Sequence, residues 1–221
     1  AGFYSSGNDT SINGGTWEAA KASCMVAQQA QKVVATGDAA CVALCRPPGH
    51  HAGKDLFGGY CFLNNAAVAA QMFIDQGAEK VAIIDIDFHH GNGTQDIFDE
   101  RGDVLFASLH GQPQDSYPYY SGYVDETGVG DGTGCNFNFP MPPGTRYDTW
   151  GQALEEAIFH IQRFRATALI VSLGVDTYKE DPISFFCLET EDYLQCGKLL
   201  SQLNLPTVFV LEGGYALQMV G

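Results

Sequence analysis

The chain has 221 residues, 45% hydrophobic and 17% charged, enough for one domain of ordinary size with a substantial core. The formal net charge is -15, which argues against nucleic-acid binding driven by phosphate contacts, because those need clustered Lys and Arg; an acidic field attracts cationic ligands, although solubility alone also accounts for it. Seven cysteines without a CxxC pair read as reduced thiols rather than a disulfide framework, and with no apolar run of membrane-spanning length and no signal-peptide pattern the expected location is cytoplasmic.

In chain order, the apolar pattern predicts a helix over 17–34, a short buried strand over 41–45, a helix over 65–76 and continuous apolar strands over 81–86 and 104–109. An amphipathic helix over 147–164 follows, then a strand over 168–173, a helix over 191–203 and a strand over 207–211. Strands separated by helical segments imply βαβ units and a parallel sheet. Their continuous apolar character implies a sheet covered on both faces. The fold class expected is therefore α/β, a three-layer αβα arrangement around a central, mostly parallel sheet. No repeat or linker divides residues 1–221, so they read as one domain. The polar, Gly- and Tyr-rich stretch 112–134 reads as an active-site wall.

The unusual polar residues follow the strands. His50 and His51 come after the first, Asp87 and His89 after the second, His110 and Tyr117 after the third, Asp176 and Tyr215 after the last two. Ligands of open parallel sheets bind outside the carboxyl ends of the strands, so these loops are expected to converge. In Asp85-Ile86-Asp87-Phe88-His89 the acidic and imidazole groups are spaced by two and would share one face of an extended chain, with Phe88 and His90 turned away. Asp87, His89 and Asp176 offer two carboxylates and an imidazole, the donor set of a catalytic metal site with an open position. Oxygen and nitrogen donors also suit iron or manganese, which leaves the metal less defined than the site. The rigid Arg46-Pro47-Pro48-Gly49 turn leads into His50-His51, a candidate acid–base pair. Gly213-Gly214 allow a sharp turn before Tyr215, whose phenol either packs or donates a hydrogen bond to an oxyanion. Tyr60, after Gly58-Gly59, and Tyr117 either line a channel or cover the surface.

The segments RPPGHHA, GGYCFLNN, DIDFHHGNGTQDIF, SLGVDT and EGGY, in this order from about Gly2 to Tyr215, resemble the histone deacetylase family. GDVLFASLHG and SLGVDTYKEDPISFFCLE are closer to its bacterial acetylpolyamine amidohydrolases than to nuclear histone deacetylases. The resemblance implies an arginase/deacetylase-like fold, incomplete here at both ends, and removal of acetyl groups from acetylated amines. It implies a catalytic Zn2+ on Asp87, His89 and Asp176, with His51 as general base and acid, oriented by Asn92. His50, tied to Asp85, would be its electrostatic partner, and Tyr215 would polarise the scissile carbonyl. A structural K+ or Na+ would use Asp85 and Ser108 with backbone oxygens of Asp87, His89 and Leu109. Asp9, Gly59, Tyr60, Tyr117 and Ile183 would contact a small cationic acetylated amine, and the full-length protein would be a homodimer. Alternatives are a protein acetyl-lysine deacetylase, a non-catalytic ligand-binding relative and an arginase-type hydrolase. The last would need an Asp-rich two-metal cluster that the sequence does not resemble.

Overall fold

The computed structural model describes residues 3–218. Six strands form one sheet: β1 (Ala40–Ala43), β2 (Val81–Asp85), β3 (Val104–Gly111), β4 (Asn136–Met141), β5 (Ala168–Leu173) and β6 (Thr207–Leu211). Their spatial order is β1-β6-β5-β2-β3-β4, and every ladder between neighbours is parallel. Five helices connect them: α1 (Thr16–Ala35), α2 (Asn65–Asp75), α3 (Asn92–Phe98), α4 (Tyr147–Phe164) and α5 (Thr190–Ser201).

The central strands alternate between two cores, as the pleat requires. Val81, Ile83, Phe106 and Ile170 face a layer built from α1, α2 and Phe98 of α3. Ala82, Ile84, Leu105 and Val171 face the opposite layer of α4 and α5. These strands are apolar throughout because both faces are covered, which gives the expected three-layer αβα arrangement. α4 buries Trp150, Leu154, Ala157 and Ile161, one helical stripe. α1 buries mainly small residues, Ala20, Cys24, Ala27 and Ala30, and packs closely on α2.

Three expectations need correction. The first strand ends at Ala43 rather than Cys45, and it is buried only in part: Ala43 is enclosed in the core but Val42 is 53% exposed, because β1 is an edge strand paired only with β6. α3 and β4 were not expected. α3 is two turns long and starts at the polar Asn92-Gly93. β4 alternates Asn with Phe and contains Pro140, a composition that suits an edge strand with one free side. Among the described residues no helix is long and apolar enough to cross a membrane.

Candidate metal and acid–base site

The connections after β1, β2, β5 and β6 meet at the carboxyl edge of the sheet. Chain past Asp85 does not continue as a strand, contrary to the expected shared face. The Asp85 carboxylate accepts the backbone N–H of Asp87 at 3.1 Å, and that of Asp87 accepts the N–H of His89 at 2.8 Å. Each is a short Asx-type turn, and together they split the motif. Asp85 turns toward His50, whereas Asp87 and His89 turn toward Asp176. Phe88 goes into the core on the α4 and α5 side of the sheet, against Phe185 and Phe186. His90 packs on His110 and bonds Gln95 through Nε2 at 3.0 Å.

One donor atom from each of Asp87, His89 and Asp176 lies within 4.8 Å of the others. His89 Nδ1 sits 2.9 Å from Asp176 Oδ2 and 3.2 Å from Asp87 Oδ1. Both carboxylates are fully buried. Burial together with the charge of Asp87 pushes the Asp176 carboxyl up to about 7. Burial opposes protonation of His89, but its hydrogen bonds to Asp176 and Asp87 prevail and raise it to about 10. Two carboxylates and one imidazole nitrogen converging in a buried space fit a divalent cation of the zinc class. The surrounding backbone is shaped to the same end. Gly213 N–H donates to Asp87 Oδ2 at 2.7 Å, and a Cβ at Gly213 would stand 2.6 Å from that oxygen and 2.8 Å from Asp176 Oδ2. Gly213→Ala is therefore expected to displace the carboxylates and weaken metal affinity about 10- to 100-fold, the range seen when supporting contacts of metal ligands are lost. Metal titration followed by elemental analysis checks this.

The histidine pair divides into two roles. His50 Nδ1 is 2.9 Å from Asp85 Oδ2, and both groups are buried. Burial disfavours a charged His50, yet the charges of Asp85 and Asp87 hold its pKa well above the ordinary value. His51 lies next to it, ring centroids 4.0 Å apart, with Nδ1 2.6 Å from Asn92 Oδ1. Burial, then the charges of His50 and His89, hold His51 well below the ordinary imidazole value. A cation among Asp87, His89 and Asp176 would act in the same direction. One imidazole is thus kept charged and its neighbour kept neutral, the separation that marks acid–base assignments. The loop that carries them is braced from below. Glu212 Oε2 accepts the N–H groups of Gly49 at 2.7 Å and His50 at 3.1 Å, and Asn65 Nδ2 donates to the Pro47 carbonyl at 3.2 Å.

Aromatic rings wall the crevice. Tyr117 meets His51 edge-on at 4.8 Å, and Tyr60 meets Tyr215 at 6.1 Å. Gly59 has φ +53, and a side chain there would strike the His51 ring. Asp9 is exposed and accepts a hydrogen bond from the Thr10 hydroxyl at 3.0 Å, which itself accepts the Tyr60 N–H at 2.9 Å. Burial and the nearby charges of Asp87 and Asp176 raise the Tyr215 phenol far above its ordinary value, so it keeps its proton. Asp85 and Ser108 are register neighbours on β2 and β3. Ser108 Oγ is 2.9 Å from His110 Nδ1, and Leu109 is fully buried beside it. Ile183 is exposed, and its N–H donates to Asp181 Oδ1 at 3.0 Å.

Two site residues escaped sequence reasoning. Asp181 Oδ2 accepts the Tyr215 N–H at 2.7 Å, fixing the turn that presents the phenol. Its signal was an Asp before Pro182 in the loop after β5. Tyr120 Oη accepts from Asn92 Nδ2 at 3.0 Å; nothing local in the sequence indicates that contact.

The histone deacetylase domain profile matches residues 2–221. The chain is 56% identical to acetylpolyamine amidohydrolase 1 of Pseudomonas aeruginosa and 54% identical to the acetylpolyamine amidohydrolase of Mycoplana ramosa, each over 100% of this chain and 64% of the relative. A crystal structure of acetylpolyamine aminohydrolase from Burkholderia pseudomallei superposes with a TM-score of 0.89 at 45% identity, covering 92% of this chain and 59% of that one. The chain thus spans less than two thirds of the length of these relatives. With the profile match running through the sheet and every loop of the crevice, the chain belongs to the histone deacetylase family.

Proposed function

We propose that the protein hydrolyses the amide of small cationic acetylated amines, acetylpolyamines above all, releasing acetate and the free amine. The observation that carries this reading is the buried His51, its Nδ1 held 2.6 Å from Asn92 Oδ1, beside the converging Asp87, His89 and Asp176 donors. Zn2+ held by these three residues would supply Lewis-acid activation of the acetyl carbonyl and of the attacking water. His51, with its proton on Nδ1 toward Asn92, offers the Nε2 lone pair as general base. Nε2 takes a proton from water as the water oxygen bonds to the acetyl carbon. The Tyr215 hydroxyl donates a hydrogen bond to the carbonyl oxygen as its charge develops. His51 then returns the proton to the leaving nitrogen, and the carbon–nitrogen bond breaks. His50, held charged by Asp85, stabilises the added negative charge nearby. Tyr60 and Tyr117 flank the aliphatic stem, with Gly59 keeping the wall clear of His51. Asp9 and Ile183 lie at the rim.

Relatives named for acetylpolyamines at 54–56% identity and the net charge of -15, which would draw in polycations, support the substrate class. We further propose that residues 1–221 act as one catalytic domain, that K+ or Na+ binds at Asp85 and Ser108 with backbone oxygens of Asp87, His89 and Leu109, and that the protein works as a cytoplasmic homodimer. Turnover of acetylputrescine and of an acetyl-lysine peptide by the zinc-loaded protein, measured side by side, tests the substrate class. The reading expects kcat/KM to favour acetylputrescine. A preference for the peptide would overturn that class and leave the hydrolytic chemistry standing.

A further inference from the structure

We propose that Tyr120 is a positioning residue for the general base, holding the Asn92 amide so that the proton of His51 stays on Nδ1. The inference rests on the acid–base reading of His51.

Asn92 has two side-chain contacts among the described residues, His51 Nδ1 on Oδ1 at 2.6 Å and the Tyr120 hydroxyl on Nδ2 at 3.0 Å. A carboxylate in this place would present oxygen to His51 however it rotated, but an amide has two unlike ends. With Oδ1 toward the ring, the neutral imidazole carries its proton on Nδ1, and the Nε2 lone pair is free to accept one. With the amide turned over, Nδ2–H faces Nδ1 and favours the tautomer protonated on Nε2, which has no lone pair for water. Catalytic competence at His51 therefore depends on amide orientation, and the orientation depends on what Nδ2 meets. Tyr120 meets it. Asp96 lines the same cavity of about 310 Å³ as Asn92 and Tyr120; its nearby negative charge acts on the phenol and favours turning the O–H dipole toward it, with the hydroxyl lone pair toward Nδ2.

The tyrosine is 56% exposed, yet the chain immediately after it is clamped. Glu126 Oε2 accepts Gly122 N–H at 2.9 Å, Ser121 Oγ at 3.2 Å and Gln95 Nε2 at 2.7 Å. Gln95 belongs to α3, the helix that Asn92 begins. The Gly122 carbonyl in turn lies 2.9 Å from His110 Nε2. Gly122 has φ +104, and a Cβ there would stand 2.6 Å from His110 Nε2 and 2.9 Å from the His90 ring. Buried His90 and His110 thus fix the height at which the loop brings Tyr120 to Asn92.

Tyr120→Phe keeps the ring and removes the contact. In the zinc-loaded protein we expect kcat on acetylputrescine to fall about 3- to 10-fold, as loss of one such hydrogen bond gives, with KM unchanged. Nitrogen-15 NMR of the His51 imidazole should show a new fraction protonated on Nε2. In an Asn92→Ala background, Tyr120→Phe should have no further effect. Equal losses in both backgrounds, or an unchanged tautomer and kcat in Tyr120→Phe alone, would overturn the positioning role. Asn92→Ala with wild-type turnover would overturn the underlying reading of the His51–Asn92 pair as well.

Discussion

His51→Ala is expected to lower kcat about 10²- to 10⁴-fold, the usual contribution of a positioned general base and acid, while metal content stays at the wild-type level. The expectation follows from the environment of the ring. His51 is buried, has one nitrogen held by Asn92, and is kept neutral by burial and the positive charges beside it. His50 cannot replace it, because Asp85 and Asp87 hold that neighbour in its charged form, with no lone pair to offer. His51 is not one of the three donors of the metal cluster, and its ring centroid lies 6.0 Å from that of His89, so the cluster should survive the substitution. Steady-state kinetics with elemental analysis of the same sample separates the two effects. Loss of metal together with activity would show that His51 is structural.

Tyr215→Phe is expected to lower kcat about 10²- to 10³-fold, the range measured for removal of a single oxyanion donor, with little change in KM. The phenol is kept protonated by burial and by two carboxylates. Its backbone is held by Asp181, and the φ of +147 at Gly214 makes the preceding turn. Phe retains the ring against Tyr60, so the wall of the crevice remains while the donor is lost. Wild-type kcat in this variant would remove Tyr215 from the chemistry and return it to packing.

Much of this architecture was legible in the residues. Strands β2, β3 and β5 announce themselves because a sheet covered on both faces needs unbroken apolar runs, and the residues that follow them mark the carboxyl edge. What escaped depends on one-sided or distant contacts. β4 alternates because its outer side is an edge. β1 reads as buried from its apolar composition, but only tertiary context reveals that it lies at the rim of the sheet. Spacing by two suggested that Asp85, Asp87 and His89 share a face. The carboxylates instead capture the N–H groups two residues on, and this local competition with the extended backbone sends Asp85 to His50 and the others to Asp176. The asparagines of GGYCFLNN illustrate the converse. Asn64 caps α2 by accepting the Ala67 N–H at 2.9 Å, and Asn65 braces the histidine loop, so their contribution is architectural. Asp181 and Tyr120 lie 34 and 28 residues from their partners, and no periodicity connects such pairs.

Hydrolysis at the Asp87–His89–Asp176 cluster is proposed to depend on a bound metal ion. The most direct test is acetate release from acetylputrescine by the purified protein, measured after chelation and again after Zn2+ is restored. Release should stop when elemental analysis finds the protein metal-free and return with one equivalent of Zn2+. Undiminished acetate release from demonstrably metal-free protein would contradict it.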